Sequence, residues 1–199
     1  MADEFDEHYT DYQANRSLLR KWVRRAYLRS AARQLSGPTL DFGCGVGELL
    51  GKLPAGSSGL EYNLATVEHC RRKGLEVEGY DGFADDWRLS VLAAGRRFES
   101  MVISHVLEHL DEPALVLQRL LSAGKRLGVR RVLVIVPGRA GFRIDDTHRT
   151  FIDRGLLSAP GIVQGTGFAL ERARHFPGDL RAIGDWFPHH ELQVLYVRL

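Results

Sequence analysis

Apolar and polar positions along this chain repeat with two different periods, which alternate from one segment to the next. Between residues 16 and 35, apolar side chains recur at helical spacing with basic residues between them, and Gly37-Pro38 end the predicted helix. Short apolar runs further along predict strands at 39–44, 57–62, 75–81, 98–106 and 130–137. Amphipathic segments between these strands predict helices at 47–53, 63–74, 85–95 and 112–128.

The alternation of strands and helices predicts an α/β protein. Several strands are nearly continuous runs of Val, Ile and Leu, as in VLVIVP at 132–137, which is typical of parallel strands buried on both faces. The last third differs, with an irregular loop predicted over 138–153 and β-rich segments at 167–176 and 191–199. We therefore expect a mostly parallel sheet with helices on both faces, closed by an antiparallel pair.

Composition and charge narrow the class of protein. The 199 residues suit a single domain, and 27 basic against 25 acidic residues give no strong electrostatic argument for a nucleic-acid partner. The two cysteines, Cys44 and Cys70, have no paired spacing, so we expect no disulfide framework and a reducing compartment. The first residues lack a signal-peptide pattern and no apolar run could span a bilayer, which predicts a cytoplasmic protein.

The segment LDFGCGVG places three alternating glycines directly after the first predicted strand. Gly43, Gly45 and Gly47 permit a tight turn and let a ligand lie against bare backbone, and the helix predicted to follow offers free N–H groups. Glu61 ends the second strand about twenty residues later, where a carboxylate can bind both hydroxyls of a ribose. Asp81 ends the third strand, where it can accept a hydrogen bond from an adenine amino group. These features predict a nucleoside site.

The motifs LDFGCGVGELL, GLEYN, GYDGF and MVISHVLEHLDEP, in this order and spacing, resemble the class I S-adenosylmethionine-dependent methyltransferases, in particular the small single-domain members of types 11 and 23. The resemblance runs from about Thr39 to Pro137. It implies a Rossmann-like, seven-stranded, mostly parallel sheet with helices on both faces and an antiparallel last strand. It also implies that S-adenosylmethionine (SAM) binds and leaves as S-adenosylhomocysteine (SAH).

The resemblance implies roles for residues at the ends of four strands. The residues expected to face the methionine part of the cofactor are Asp41, Gly43, Cys44 and Gly45. Those expected around the ribose and the adenine are Glu61, Tyr62, Asp81, Gly82 and Phe83. Those expected beneath the sulfonium are Ser104 and His105.

Histidines supply the predicted catalytic and metal-binding groups. Methyl transfer to a hydroxyl or an amine needs an aligned nucleophile and a base, and His105 and His148 are the catalytic candidates. If HVLEHL becomes helical, His105, Glu108 and His109 share one face at positions i, i+3 and i+4. Together with His148, these side chains could hold a divalent ion that polarises a substrate hydroxyl.

Two groups of methyltransferases resemble this chain around the predicted metal ligands. The ubiquinone-pathway O-methyltransferases and the small-RNA 3′-terminal 2′-O-methyltransferases carry an acid-x-x-Glu-His run at this place, and the second group adds a histidine that resembles the one in THRTF at 147–151. The chain departs from both at His105, where they have an acid, and this change favours a borderline metal over magnesium. The alternative is a metal-free site in which Glu108 caps a helix, His109 packs or forms a hydrogen bond, and His148 is a general base or a substrate contact.

The resemblance also suggests how the chain is divided. We expect residues 1–36 to form a helical lid and residues 37–199 to form the methyltransferase domain. The basic face of the predicted helix, which includes Arg16, Arg20 and Arg24, could bind RNA, an acidic carrier protein or a lipid surface. A solvated face opposite the apolar one is the alternative.

Three functional hypotheses follow. Little of the chain lies outside the core, which favours a small-molecule acceptor, with a hydroxyl of a sugar, lipid precursor or secondary metabolite as the methylated group. The second hypothesis is a metal-dependent RNA 2′-O-methyltransferase. The third is a non-catalytic, cofactor-binding partner protein that resembles the MetW proteins, which act through an acyltransferase. The sequence does not predict the oligomeric state.

Overall fold

The computed structural model describes the backbone of residues 18–199 and the side chains of residues 25–180 and 182–199. The strands are β1 Thr39–Phe42, β2 Ser58–Glu61, β3 Val77–Gly79, β4 Ser100–Ser104, β5 Arg131–Pro137, β6 Phe168–Phe176 and β7 Glu191–Arg198. The longer helices are α1 Leu18–Ala32, α2 Leu64–Arg72 and α3 Pro113–Arg126, and the one-turn helices are α4 Arg139–Phe142, α5 Arg154–Leu157 and α6 Pro160–Val163. Within residues 18–199, 3₁₀ turns cover Leu50–Lys52, Leu107–His109 and Arg181–Asp185.

The strands form one seven-stranded sheet in the order β3-β2-β1-β4-β5-β7-β6. The first five strands pair in parallel, whereas β7 is antiparallel to both β5 and β6. This confirms the predicted α/β, Rossmann-like sheet with its antiparallel closing strands. Because Pro137 pairs with Glu191, the start of β7 lies at the same edge as the carboxyl ends of the parallel strands. Ligands of open α/β sheets bind at that edge.

Helices cover both faces of the sheet, as predicted. On one face, Leu28 and Ala31 of α1 pack with Leu133 and other buried residues of β4, β5 and β7. On the opposite face, Leu117 and Leu120 of α3 belong to the larger core. Burying each such leucine contributes roughly 1.5–3 kcal/mol, so both helices stabilise the sheet strongly. The division into residues 1–36 and 37–199 stays a prediction, and residues 1–17 lie outside the described part.

The helix predicted over 85–95 is wrong. Asp86, Trp87 and Leu89 have φ values of 52°, 60° and 55°, which a right-handed helix does not permit. The chain instead makes successive turns that bury Trp87 and Leu89 in the main core. The hydroxyl of Tyr80 donates to Asp85 at 2.6 Å and accepts from the Leu89 N–H at 3.2 Å, which holds these turns together. Trp87 and Leu89 are apolar because turns bury them individually, and their spacing in the sequence resembled that of a helix.

The helix predicted over 47–53 is also wrong, because only the 3₁₀ turn Leu50–Lys52 forms. Gly47 has a φ of 75°, so helical geometry cannot extend back through the glycine turn. Pro54 disfavours a helical conformation of the residue before it and ends the turn. The predicted array of free N–H groups at a helix start is therefore missing at the glycine turn.

The loop predicted over 138–153 is irregular for most of its length but contains the short helix α4.

Two local predictions are confirmed at α2. The side chain of Asn63 accepts a hydrogen bond from the Thr66 N–H at 3.1 Å and caps the helix. Gly74 follows the helix with a φ of 76°, which suits a glycine stop.

The arginines at 16, 20 and 24 of the predicted basic face lie outside the described side chains. Within residues 18–199, every helix falls short of the length and apolar content that crossing a bilayer requires.

Candidate active site

The glycine turn after β1 is built on positive φ angles. Gly43, Gly45 and Gly47 have φ values of 70°, 51° and 75°. A Cβ on Gly43 would lie 2.3 Å from Cγ2 of Val106, so only glycine lets the turn pack directly against the segment after β4. The N–H groups of Gly43 and Cys44 both donate to the Leu60 carbonyl, at 2.8 and 3.1 Å. The turn is thus held between β2 and the end of β4.

Glu61 joins the glycine turn to the end of β2. Its Oε2 accepts a hydrogen bond from the Gly45 N–H at 2.8 Å, and its Oε1 accepts from the Asn63 N–H at 3.0 Å. Asp41, which precedes the turn on β1, is buried. The structure therefore brings these predicted cofactor residues together, with the Glu61 carboxylate at the edge of the turn.

Aromatic side chains beside the turn are unusually open. Tyr62 and Phe83 follow β2 and β3 and expose 52% and 72% of their surface. Asp81 Oδ1 accepts from the N–H groups of Phe83 and Ala84 at 2.9 and 3.1 Å, which fixes the turn that presents Phe83. Exposed aromatic faces at neighbouring strand ends offer stacking surfaces for a planar base.

His105 lies between two carboxylates at the end of β4, and its φ is 56°. Its Nδ1 is 3.2 Å from Glu108 Oε1 and its Nε2 is 3.0 Å from Glu191 Oε1. Burial by itself would lower the pKa of His105, but the hydrogen bonds to Glu108 and Glu191 outweigh it and raise the pKa to about 9. With both nitrogens donating, the imidazolium has no lone pair, which disfavours His105 as the proton acceptor. Ser104 precedes it at the end of β4.

Sequence reasoning missed Glu191. It lies on β7, far along the chain from β4, and it is nearly buried. The only signal in the sequence was an acid at the first residue of a predicted strand. Antiparallel pairing with Pro137 carries it to His105.

Three of the four predicted metal ligands come together, namely Glu108, His109 and His148, with one ligand atom of each within 4.8 Å of the others. His105 lies outside this group, because both of its ring nitrogens face carboxylates. Asp145, which the sequence did not indicate, lies beside the group, with Oδ2 at 3.9 Å from His148 Nε2.

The surroundings of the cluster suit metal ligation. His148 Nδ1 is 2.9 Å from the Phe142 carbonyl, so Nδ1–H donates and the lone pair is on Nε2, 4.0 Å from Glu108 Oε1. Burial lowers the pKa of His109, which favours its neutral, ligating form. Glu108 is completely buried and its Oε2 has no hydrogen-bond partner, so this oxygen has unused acceptor capacity.

The loop that carries His148 is fastened to the 3₁₀ turn after β4. The N–H groups of Arg149 and Thr150 both donate to the Glu108 carbonyl, at 2.8 and 3.1 Å. The Thr150 hydroxyl donates to the Leu110 carbonyl at 2.7 Å. These bonds hold the loop close to the turn, and the ring centroids of His109 and His148 are therefore only 4.8 Å apart.

A cavity of about 230 Å³ opens between the loop after β5 and the start of β7. Its walls include Arg139, Phe151, Arg154, His175, His190 and Leu192. The rings of His175 and His190 stack with centroids 5.1 Å apart, and the Arg139 guanidinium lies over the ring of Phe151. The cavity thus combines flat apolar surfaces with charged groups.

Comparison with known proteins identifies related sequences and folds. A family model described as "Methyltransferase domain" matches residues 12–190. Among curated proteins, none matches the chain significantly. A SAM dependent methyltransferase from Archaeoglobus fulgidus is similar in structure, with 17% identity, a TM-score of 0.68, and coverage of 97% of this chain and 100% of that one.

Two further solved structures share the architecture. Magnesium protoporphyrin IX methyltransferase from Synechocystis PCC 6803 with bound SAH has 15% identity and a TM-score of 0.69, covering 100% of this chain and 97% of that one. A Haloferax volcanii putative methyltransferase, in complex with the Trm112 methyltransferase activator, has 13% identity and a TM-score of 0.65, covering 99% and 96%. At these identities the likeness establishes the fold alone.

Proposed function

The chain belongs to the family of methyltransferase domains, and from that premise we propose that it transfers a methyl group from SAM to a hydroxyl of a small-molecule acceptor. The observation that carries the proposal is the Glu61 carboxylate hydrogen-bonded to Gly45 at the glycine turn. The bare glycine backbone, a carboxylate and open aromatic rings converge there at the edge where α/β sheets bind ligands.

The residues present fit this cofactor. A carboxylate has about four lone-pair positions, so Glu61 can keep its two backbone hydrogen bonds and still accept from ribose hydroxyls. Tyr62 and Phe83 offer faces for the adenine, and Asp81 remains exposed beside Phe83. When bound, SAM supplies an electrophilic methyl group on a sulfonium.

His148 is the residue best arranged to remove the acceptor proton. Its Nδ1–H donates to the Phe142 carbonyl, which leaves the Nε2 lone pair available to accept a proton. The same hydrogen bond fixes the orientation of the ring. His105 serves instead to hold Glu108 and Glu191 in place through its two N–H groups.

The cavity beside β5 and β7 supports a small acceptor. A volume of about 230 Å³ accommodates part of a small molecule and excludes a folded macromolecule. Phe151 and Leu192 provide apolar contacts, while Arg139 and Arg154 can bind polar substituents.

A divalent ion at Glu108, His109 and His148 is a second candidate feature of this reaction. The unpartnered Glu108 Oε2 and the outward hydrogen bond of His148 Nδ1 are what a ligating carboxylate and imidazole require. When bound, such an ion would act as a Lewis acid on the acceptor oxygen. His148 would then be a ligand and not the base.

Calorimetric titration with SAM and SAH tests the cofactor site. We expect the wild-type protein to bind both, Glu61→Gln to weaken both about tenfold or more, and Glu68→Gln on the exposed face of α2 to bind as wild type. Absence of binding by the wild type would contradict the proposal, and unchanged binding by Glu61→Gln would place the cofactor elsewhere.

A methyl-transfer assay tests the acceptor class. Labelled SAM is incubated with a panel of hydroxylated sugars, lipid precursors, aromatic metabolites and RNA oligonucleotides with free 3′ ends. Transfer to a small hydroxylated compound supports the proposal, whereas transfer to RNA supports the second hypothesis. Cofactor binding without transfer, together with co-purification of an acyltransferase, supports the third.

A further inference from the structure

Three elements converge on one charged group at the end of β4, in which the two carboxylates are buried and the imidazole is partly exposed. His105 lies between Glu108 of the 3₁₀ turn and Glu191 of β7, with one hydrogen bond to each, 3.2 and 3.0 Å long. Glu108 is completely buried and Glu191 is only 7% exposed. Two carboxylates facing one imidazole leave at least one net negative charge, whether the imidazole is protonated or neutral.

The segment that carries His105 packs against the glycine turn. Val106, the residue after His105, approaches the turn so closely that a Cβ on Gly43 would lie 2.3 Å from Cγ2 of Val106. The β1 and β4 strands that carry the two segments are hydrogen-bonded neighbours. The segment that holds the negative group therefore lies next to the glycine turn, where the proposed cofactor would place its sulfonium.

Tyr27 is buried close to Glu191 of the same group. Its hydroxyl donates to the His189 carbonyl, two residues before Glu191, and burial together with the charge of Glu191 raises the pKa of Tyr27. A neutral, buried phenol adds no compensating charge and keeps the local dielectric low. Charge interactions at this position are weakened less by solvent than those on the surface.

SAM and SAH differ by one methyl group and one positive charge. A fixed negative charge near the sulfur therefore stabilises the donor and leaves the neutral thioether product almost unaffected. We propose that Glu191 is a specificity-determining residue that makes this crevice prefer the charged donor over the neutral product. The inference rests on the proposed function, because it presumes that both ligands bind at the glycine turn.

Such a preference has a consequence for turnover. After transfer, the loss of positive charge removes a favourable interaction, so the product leaves more readily and inhibits less. The preference would be set by Glu191 because it is the carboxylate of this group that does not also belong to the Glu108, His109 and His148 cluster.

The test compares the dissociation constants of SAM and SAH in wild type, Glu191→Gln and Glu191→Asp at pH 8. We expect Glu191→Gln to weaken SAM on the order of tenfold while the SAH constant changes less than about twofold. Glu191→Asp keeps the charge and should restore most of the preference. Glu171→Gln, an exposed change on β6, is the control and should leave both constants unchanged.

Each other outcome has a distinct meaning. Equal weakening of SAM and SAH in Glu191→Gln, or an unchanged ratio, would overturn the proposal, because a structural role affects both ligands alike. If Glu191→Gln does not fold, Glu191→Asp decides: loss of the preference despite the retained charge would overturn it. Failure of the wild type to bind either ligand contradicts the proposed function itself. The titrations are made after chelation, because a divalent ion on Glu108 would offset the negative charge of the group.

Discussion

The Gly45 N–H donates a 2.8 Å hydrogen bond to Oε2 of Glu61, across a sequence separation of 16 residues. This bond joins the turn after β1 to the end of β2, so the glycine backbone and the carboxylate form one surface. A ligand that binds there contacts both at once, which is why neither element can be altered without affecting the other.

The packing of the glycine turn predicts unequal effects of two alanine substitutions. Gly43→Ala and Gly74→Ala both place a side chain at a positive φ, 70° and 76°, which costs about 1 kcal/mol each. A Cβ at Gly74 meets nothing within 4 Å, whereas at Gly43 it would clash with the stiff Val106 side chain. We expect Gly43→Ala to lose about 3 kcal/mol of unfolding free energy in urea titrations. Equal losses in the two variants would contradict the close approach.

The turns over residues 81–92 predict a cost for removing one buried hydroxyl. Tyr80→Phe removes the hydroxyl that accepts from the Leu89 N–H and donates to Asp85, which keeps its hydrogen bonds from Ser90, so we expect a loss of about 1–2 kcal/mol in unfolding free energy. Tyr62→Phe is the matched control, since its ring is half exposed, and should change stability by less than about 0.5 kcal/mol. Equal changes in unfolding free energy in the two variants would contradict the role of the Tyr80 hydroxyl in holding the turns.

The histidine cluster predicts metal binding that does not involve His105. If the cluster holds an ion, elemental analysis of the wild type should find close to one divalent ion per chain, and His109→Ala should lose it. His175→Ala changes a histidine outside the cluster and should keep the ion. Zn²⁺, Mn²⁺ and Mg²⁺ are then added one at a time to chelated wild-type protein. The metal that binds should raise its melting temperature. No ion and no shift would favour the metal-free site, with His148 as the base.

The carboxylates around His105 predict a dependence of stability on pH. Hydrogen bonds to the two carboxylates outweigh burial and raise the pKa of His105 from its ordinary value of about 6.5 to about 9 in the folded protein. The stabilisation is therefore fully present below the unfolded pKa of about 6.5 and is lost as pH rises through 9, a loss on the order of 3 kcal/mol. Urea titrations from pH 6 to pH 10 should show a shallower decline in Glu191→Gln than in the wild type. Parallel declines would show that His105 has no raised pKa.

Local patterns were sufficient to predict most of the fold. The alternation of strands and helices, the Asn63 cap and the Gly74 stop each depend on interactions between residues close in the chain, so their signals lie in short segments. The glycine turn and Glu61 were also predictable, because a fixed connection between parallel strands brings them to the same edge. The 85–95 segment misled prediction because tertiary burial of Trp87 and Leu89 imitated helical spacing.

The sequence by itself determined the architecture, the glycine turn and the residue types at the sheet edge. Only the tertiary structure decided how the histidines divide: His148 and His109 meet Glu108, while His105 turns to Glu191. That division depends on antiparallel pairing of β7 with β5 and on a loop fastened to the Glu108 carbonyl, contacts between residues distant in sequence. Hydrophobic periodicity records which face of an element is buried, and it carries no information about which side chain on another element will lie opposite.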